Sequence, residues 1–219
     1  MNKITLQSVQ VTSALTTTKP TPSPIMVEKE DIKDDILQNI YPVMLPESHI
    51  PDDVVAIRID GMLHVRIAFA VKSTQQFLSK TTQLKYRIKP QELVNAINRN
   101  NYKYTFGTMA DILGFPCFKD EIPMYVLTNT AMNFGAGLIL NKSILRHILD
   151  TLNEDIYILP SSVHELIVIP SSMADDAQFL TDMVYSINQS QVEPKDRLSN
   201  DVYRVDYTTM QFRTIQHQP

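Results

Sequence analysis

The sequence predicts an α+β fold with mainly antiparallel sheet strands and four to five packing helices. Apolar residues recur at three- and four-residue spacing in several segments, which is typical of amphipathic helices. Short apolar runs bounded by Pro, Gly and Asn lie between these segments and indicate strands. Several strands follow one another through short links, which favour antiparallel pairing. With 219 residues, of which 43% are hydrophobic, the chain can bury a substantial core.

Changes in composition divide the chain into three parts. Residues 1–27 are rich in Thr, Ser, Gln and Pro, and the run Lys19–Pro24 has a proline at every second position, which prevents helix formation. We therefore predict a flexible N-terminal segment over 1–27, a single α+β domain over 28–208 and a polar tail over 209–219.

The first predicted elements of the domain are a helix and a β-hairpin. The helix runs from Glu28 to Ile40 and ends before Pro42. The hairpin spans Val54 to Val71, because Asp60-Gly61 is a strong signal for a two-residue turn. Alternation in its second strand predicts a buried face and a solvent face, the first formed by Leu63, Val65, Ile67, Phe69 and Val71 and the second including His64 and Arg66. Ligand binding by the pair on the solvent face is the alternative.

The later elements follow from the same two periodicities and from local helix and strand breakers. Further helices are predicted over Pro90–Asn98, over Thr108–Leu113 with Gly114 as C-cap, over Ser143–Asn153, and from the capping-box pattern Ser172–Asp175 onward. Further strands are predicted over Met124–Thr128, Ala136–Leu140, Ile156–Leu159, Leu166–Ile169 and Val202–Tyr207.

Charge and cysteine content argue against several classes of protein. A net charge of −4 and a pI near 5.7 argue against broad capture of nucleic acid. The densest basic cluster is interpreted as a solvated strand face, with local nucleic-acid contact as the weaker alternative; it comprises Lys80, Lys85, Arg87 and Lys89. The lone Cys117 cannot form an internal disulfide, and no apolar run reaches the length of a membrane span. We therefore expect a cytoplasmic protein.

Cofactor and metal signatures are missing from the sequence. Neither the G-x-G-x-x-G pattern nor a P-loop pattern occurs, so no nucleotide cofactor is predicted. The five histidines lack the spacing of metal ligands, and a single cysteine cannot supply a zinc pair, so no metal is predicted.

The segment Asp155–Pro170, DIYILPSSVHELIVIP, holds the densest cluster of reactive side chains: Ser161, Ser162, His164 and Glu165. One interpretation is a hydrolase-like site in which His164 activates one of the two serines, with a distant acid such as Asp53. The other is a capping box, in which Ser162 and Glu165 hold one helical turn between two strands. The second is favoured, because a serine so close in sequence rarely aligns with its histidine and no small residues form a nucleophile elbow. It leaves His164 for solvent or a partner.

A second candidate segment is NTAMNFGAG, which runs from Asn129 to Gly137. Its glycines allow the backbone to approach a ligand, although a turn between two strands explains them equally well. The candidate binding residues are therefore His164, Asn129 and Gly135.

Several blocks of the chain resemble those of a known protein family. These blocks are PMYVLTN from Pro123, Gly135-Ala136, YILPSSVHEL from Tyr157, QVEP from Gln191, Leu198-Ser199 and Val202-Tyr203. Over roughly Pro42 to Tyr207, and best after Pro123, the chain is similar to the family of unknown function numbered 5688. The resemblance implies an intracellular protein of bacteria, phages or mobile elements, and it implies no activity.

Two hypotheses about function follow from the sequence. The first is a non-enzymatic binding or accessory protein that engages a macromolecular partner, most simply another protein. The alternative is the hydrolase-like enzyme built on His164 with Ser161 or Ser162. Oligomeric state is left open by the sequence.

Overall fold

The computed structural model describes residues 29–72, 74–113, 123–160, 162–174 and 176–217. Within these ranges, ten strands form two antiparallel sheets that pack with six α-helices, four of them at least seven residues long. The predicted α+β class with antiparallel strands is therefore confirmed. Several predicted features lie outside the described residues, namely the segment 1–27, Gly114, Cys117, Ser161 and Asp175.

The first sheet is formed by four strands: β1 (Ile40–Pro46), β2 (Ala56–Ile59), β3 (Met62–Val71) and β4 (Gln76–Phe77). Its strand order is β1-β3-β2, and β4 also pairs with β3. The second sheet is formed by β5 (Tyr104–Thr108), β6 (Tyr125–Asn129), β7 (Ile156–Leu159), β8 (Glu165–Pro170), β9 (Val202–Val205) and β10 (Phe212–Ile215). Its strand order is β10-β9-β7-β8-β6-β5.

The α-helices are α1 (Lys29–Gln38), α2 (Lys80–Lys85), α3 (Pro90–Arg99), α4 (Met109–Leu113), α5 (Lys142–Leu152) and α6 (Ala177–Ser190). Short 3₁₀ helices cover Glu47–His49, Ala136–Leu140 and Ser171–Met173. The helices predicted around α3, α4, α5 and α6 are present. The helix α6 does not begin at the capping box predicted from Ser172, because Ser171–Met173 forms a separate 3₁₀ turn. The first turn of α6 is capped by Asp176, whose carboxylate accepts the Gln178 amide at 2.8 Å.

One hydrophobic core joins the two sheets, and a smaller one lies beneath α6. The larger core takes Phe69 from β3 and Ile158 from β7, together with the buried faces of α3 and α5. The smaller core packs Leu180 of α6 against Tyr157 and Leu159. Because β7 is covered on both faces, all four of its residues are apolar and buried, which explains its continuous apolar pattern.

The predicted helix over Glu28–Ile40 ends earlier than expected, and a strand that the sequence reasoning missed begins at Ile40. The two prolines expected to stop the helix, Pro42 and Pro46, lie in β1 and pair with Phe69 and Val65 of β3. A strand tolerates proline when one side of it needs no ladder hydrogen bonds, and β1 is the edge of its sheet.

The alternation predicted for the second hairpin strand is wrong at its start. Leu63 is 48% exposed, whereas its neighbour Met62 is buried. His64 has a φ of 61°, a left-handed conformation that interrupts the pleat. The pairing with β2 shifts at the same place. Beyond the shift, Val65, Ile67, Phe69 and Val71 are buried as predicted, but Ala68 on the opposite face is buried as well.

Three further segments differ from the sequence-based predictions. Ala136–Leu140 is a 3₁₀ helix rather than a strand; a Cβ on Gly137 would lie 2.3 Å from the carbonyl oxygen of Pro42, so this apolar turn packs directly on β1. The basic cluster begins on α2, which Ser79 caps by accepting the Thr82 amide, and not on a strand face. The predicted polar tail includes β10, which extends the second sheet by pairing with β9.

Candidate functional site

Residues 162–164, which lead into β8, form no helical turn, so the predicted capping box is wrong. The Ser162 hydroxyl accepts the backbone amide of His164 at 3.0 Å, only two residues away. Glu165 is the first residue of β8, where its backbone pairs with Thr128 of β6. The turn is held from outside by the 191–200 loop, because the Val163 amide donates to the carbonyl of Asp196 at 2.8 Å.

His164 has a protein partner at each ring nitrogen. Its Nδ1 accepts the backbone amide of Phe134 at 3.2 Å, so the ring proton lies on Nε2. Nε2 faces the Asp196 carboxylate at 3.4 Å. The side chain is 29% exposed, and its ring lies 5.4 Å from the ring of Phe134. His164 therefore fastens the turn after β7 to the loop that follows β6.

The loop between β6 and the 3₁₀ turn at Ala136 is built around the Asn129 side chain. Its amide oxygen accepts the backbone amides of Ala131 and Asn133, at 3.0 and 3.1 Å. Its amide nitrogen donates to the Tyr41 hydroxyl at 2.8 Å, which ties the loop to β1. Burial raises the pKa of Tyr41, so this hydroxyl stays protonated at neutral pH.

Gly135 closes the loop where no side chain fits. Its amide donates to the His164 carbonyl at 2.8 Å, and that carbonyl also accepts the Thr128 hydroxyl at 2.9 Å. A Cβ at Gly135 would lie 2.5 Å from the Asn129 nitrogen and 2.7 Å from the His164 oxygen. The three residues singled out as binding candidates, His164, Asn129 and Gly135, are thus brought together by the structure.

The catalytic candidates do not form a triad-like arrangement among the described residues. The Ser162 hydroxyl bonds backbone, and both nitrogens of His164 already have protein partners. Asp53 lies beside the first sheet, where its carbonyl accepts the Lys80 amide, and the carboxylate next to His164 is that of Asp196. A histidine without an available lone pair cannot accept a proton from a nucleophile.

A groove of about 630 Å³ lies beside this loop, and we call it the Phe134 groove. It is lined by Tyr41, Val43, Ala70, Val71, Lys72, Gln75, Gln76, Phe77, Ala131, Asn133 and Phe134. Tyr41, Ala70 and Phe77 are neighbours across three strands of the first sheet and form its floor. Phe134 forms the opposite wall and is 37% exposed, as is Phe77.

Lys72 is the one charged residue that lines the Phe134 groove in the described part of the chain. Its ammonium lies 5.3 Å from the ring centroid of Tyr41 and 4.9 Å from that of Tyr102. No described carboxylate forms an ion pair with it, and desolvation lowers the pKa of Lys72 below its usual value of 10.5.

Sequence reasoning missed Phe134, Lys72 and Asp196 as parts of this site. The sequence did contain a signal for Phe134, because it is an aromatic residue in a polar, glycine-containing turn. An aromatic side chain in such a turn is expected to be exposed, and exposed apolar groups indicate interaction sites. Lys72 and Asp196 carry no such signal, because their partners are distant in sequence. Among the described residues, no group of three His, Cys, Asp or Glu side chains is arranged to hold a metal ion. None of the described helices has the length and apolar character needed to span a membrane.

Comparison with known proteins identifies the family of this chain. Searches of curated proteins and of solved structures found no match. The sequence profile of one family, described as a family of unknown function (DUF5688), matches residues 68–207. The matched region starts within β3, later than the expected start near Pro42, and it includes Lys72, the 129–135 loop and His164. The chain therefore belongs to the family of unknown function DUF5688.

Proposed function

We propose that this chain is a binding protein that takes an acidic peptide segment of a protein partner into the Phe134 groove. The observation that carries the proposal is the Lys72 ammonium, which lies in a mostly apolar groove and has no described carboxylate partner. The peptide would place an apolar side chain against the aromatic walls and a carboxylate on Lys72.

Apolar contact would supply most of the affinity. Two exposed phenylalanines line the groove, Phe77 in its floor and Phe134 in the wall formed by the 129–135 loop. Burying apolar surface stabilises a complex by roughly 25 cal/mol per Å², and aromatic side chains are enriched among residues that dominate interfaces. Gln75, Gln76 and Asn133 line the groove as well and provide hydrogen-bonding groups for a peptide backbone.

Charge would supply the selectivity. The ammonium attracts a carboxylate and repels another cation, so an acidic partner is favoured over a neutral or basic one. Because the described lining has no acidic side chain, an incoming carboxylate meets no like charge.

In this proposal, His164 acts on binding through Phe134. Its Nδ1 fixes the backbone amide of Phe134, and the two rings are in contact. Phe134 has a φ of 54°, an uncommon conformation for a bulky residue that needs such support. The segment with the densest cluster of reactive side chains thereby supports the residue that lines the groove from the 129–135 loop.

Peptide display on the wild-type protein tests the proposal directly. A library of random peptides is selected under reducing conditions, which suit the cytoplasmic setting that we propose, and enriched peptides are assayed by fluorescence anisotropy. We expect enriched peptides to combine Asp or Glu with Leu or Phe, and to bind more weakly as salt screens the ammonium.

Matched variants locate the binding. Lys72→Glu should abolish binding of the enriched peptides, whereas Lys85→Glu should leave it unchanged, although Lys85 also lies over a tyrosine ring. Phe134→Ala should weaken binding by about tenfold or more, and Phe179→Ala, at an exposed position of α6, should not. Equal binding by wild type and Lys72→Glu would refute the proposal.

The pH dependence follows from the lowered pKa of Lys72. Because its ammonium loses the proton at a lower pH than an ordinary lysine, peptide binding should weaken on the alkaline side before other lysines titrate. The same titration of Lys72→Arg should lack this loss, since arginine stays charged. A wild-type affinity that stays constant over the alkaline range would argue that Lys72 does not contact the peptide.

A further inference from the structure

A second pocket, of about 410 Å³, lies where the first sheet meets the end of the second. It is lined by His64, Tyr185, Ser199, Asn200, Asp201 and His217. His64 comes from the irregular start of β3, whereas Asp201 directly precedes β9 and His217 follows β10. The pocket shares no described lining residue with the Phe134 groove.

The Asp201 carboxylate is buried and fixed by three donors. Its side chain is 7% exposed. One oxygen accepts His64 Nδ1 at 2.6 Å and the Ser199 hydroxyl at 3.1 Å, and the other accepts the backbone amide of His217 at 3.3 Å. A carboxylate held in this way orients the imidazole beside it and stabilises the imidazolium that forms when the ring accepts a proton.

His64 presents its other ring nitrogen to the pocket. Because the carboxylate only accepts hydrogen bonds, Nδ1 carries the ring proton and Nε2 keeps a lone pair. The His64 side chain is 59% exposed, and its Nε2 has no hydrogen-bond partner among the described residues. This is the protonation state that a general base requires.

The backbone of His64 is held in an uncommon conformation. Its φ is 61°, and the preceding residue is fastened on both sides. The Leu63 amide donates to the Thr214 hydroxyl at 3.0 Å, and the Leu63 carbonyl accepts the Tyr203 hydroxyl at 2.6 Å. Strained backbone that is held in this way occurs most often at functional sites.

We propose that His64 and Asp201 form a general-base pair that activates water to hydrolyse a small ester bound in this pocket. The water oxygen forms a bond to the carbonyl carbon while its proton passes to His64 Nε2. The bond to the leaving oxygen then breaks, and that oxygen takes the proton from the imidazolium. The products are a carboxylic acid and an alcohol, and the histidine returns to its starting state.

Water is the nucleophile in this scheme because of how Ser199 is placed. The Ser199 hydroxyl donates to Asp201 and is therefore oriented towards the carboxylate and not towards His64 Nε2. His217 also lines the pocket, although its Nε2 is shielded from solvent and has no hydrogen-bond partner in the described structure. Tyr185, which contacts the His217 ring edge-on at 4.7 Å, adds an aromatic surface for the acyl or alcohol group.

Ester hydrolysis by defined variants tests the proposal. The probe is p-nitrophenyl acetate, and the control is His49→Gln, which removes an exposed histidine that lines neither the pocket nor the Phe134 groove. We expect His64→Gln to lower kcat/KM by about 100-fold, the lower end of a positioned general base, and His49→Gln to leave it unchanged.

Asp201 is a positioning residue in this scheme, and its separate effects on kcat and KM identify that role. Asp201→Asn should lower kcat with little change in KM, because an amide donor opposite Nδ1 favours the tautomer with the proton on Nε2. Since this variant could lose its fold, the decision rests on His64→Gln, with melting curves recorded for each protein.

Three results would overturn the proposal. They are a wild-type rate no higher than that of buffer, a rate in His64→Gln equal to wild type, and acetylated His64 in the mass spectrum, which would indicate direct attack by the ring. Lys72→Glu should retain the full rate, so failure of the peptide-binding proposal and failure of this one are separate outcomes.

Discussion

His164 and His64 each lie beside an aspartate at a junction between segments distant in sequence, yet their surroundings differ in kind. His164 has a backbone amide at one nitrogen and a carboxylate at the other, and its side chain is 29% exposed. His64 has a carboxylate at one nitrogen and solvent at the other, and its side chain is twice as exposed. The first ring joins two turns, and the second presents a lone pair to a pocket.

This difference shows why residue type and local sequence do not identify a site. The histidine in the dense cluster of the 155–170 segment uses its hydrogen-bonding capacity on its own protein, so in the proposed function it contributes to binding through Phe134. The histidine in an ordinary-looking strand keeps a free nitrogen, because a positive φ turns it out of the pleat. Substitutions around each histidine test whether the distinction holds.

The largest effect is expected from Gly61→Ala, in the turn that leads to His64. Gly61 has a φ of 79°, and a Cβ there would lie 1.7 Å from the carbonyl oxygen of Phe212 in β10. The left-handed conformation costs roughly 1–2 kcal/mol for alanine, and overpacking roughly 1–3 kcal/mol more. Chemical denaturation should therefore show a loss of roughly 2–5 kcal/mol in the free energy of unfolding.

A loss below about 1 kcal/mol in Gly61→Ala would mean that the hairpin separates from β10 at little cost. The His64–Asp201 pair would then be loosely held. The exposure of His64 Nε2 would result from a mobile hairpin and not from a fixed geometry. Asp60→Ala is the matched control, because it alters the same turn without adding an atom next to β10.

The corresponding change beside His164, Gly135→Ala, should cost roughly 1–3 kcal/mol. Gly135 has a φ of −79°, which alanine adopts without strain, so only the contacts of its Cβ with Asn129, His164 and Thr128 oppose the change. Unfolding by denaturant measures the loss, and peptide binding should weaken because the loop carries Phe134. A stable variant with normal binding would show that the loop tolerates displacement.

His164→Leu should lower the free energy of unfolding by about 1 kcal/mol. Leucine fills a similar space but leaves the Phe134 amide without its acceptor and Asp196 without its partner. Thermal and denaturant unfolding check the effect against His49→Leu, at an exposed position where no change is expected. If His164→Leu leaves the free energy of unfolding unchanged, the His164 ring has no structural role.

Much of the fold was predictable because its signals are local. Asp60-Gly61 marked the first hairpin, and Asn153 ends α5 in a left-handed conformation that asparagine tolerates. The failures arise where tertiary contacts decide. Strand β1 forms despite two prolines because it is an edge, and Ala136–Leu140 is a 3₁₀ turn because Gly137 packs on that edge.

The sites were less predictable than the fold, because their partners are far apart in the chain. Phe134 precedes His164 by 30 residues, and Asp201 follows His64 by 137. No spacing rule links such pairs, and the positive φ of His64 has no signature in its own strand. Asn129, Gly135 and His164 were named only as separate binding candidates; the structure brings them together because the segments that carry them adjoin β6 and β8, which pair in one sheet.

The smallest effect on stability is expected from His64→Gln, which should change the free energy of unfolding by less than about 1 kcal/mol. After the change Asp201 keeps two donors, the Ser199 hydroxyl and the His217 amide, so its buried charge is not left unsatisfied. A hydrogen bond from a largely exposed side chain contributes little to stability, and more than half of the His64 side chain is in solvent. Denaturant unfolding of His64→Gln and His164→Leu in parallel decides the comparison. If His64→Gln were the more destabilised protein, the His64 ring would be the structural link. The contrast between the two histidines would then no longer support a general-base role for His64.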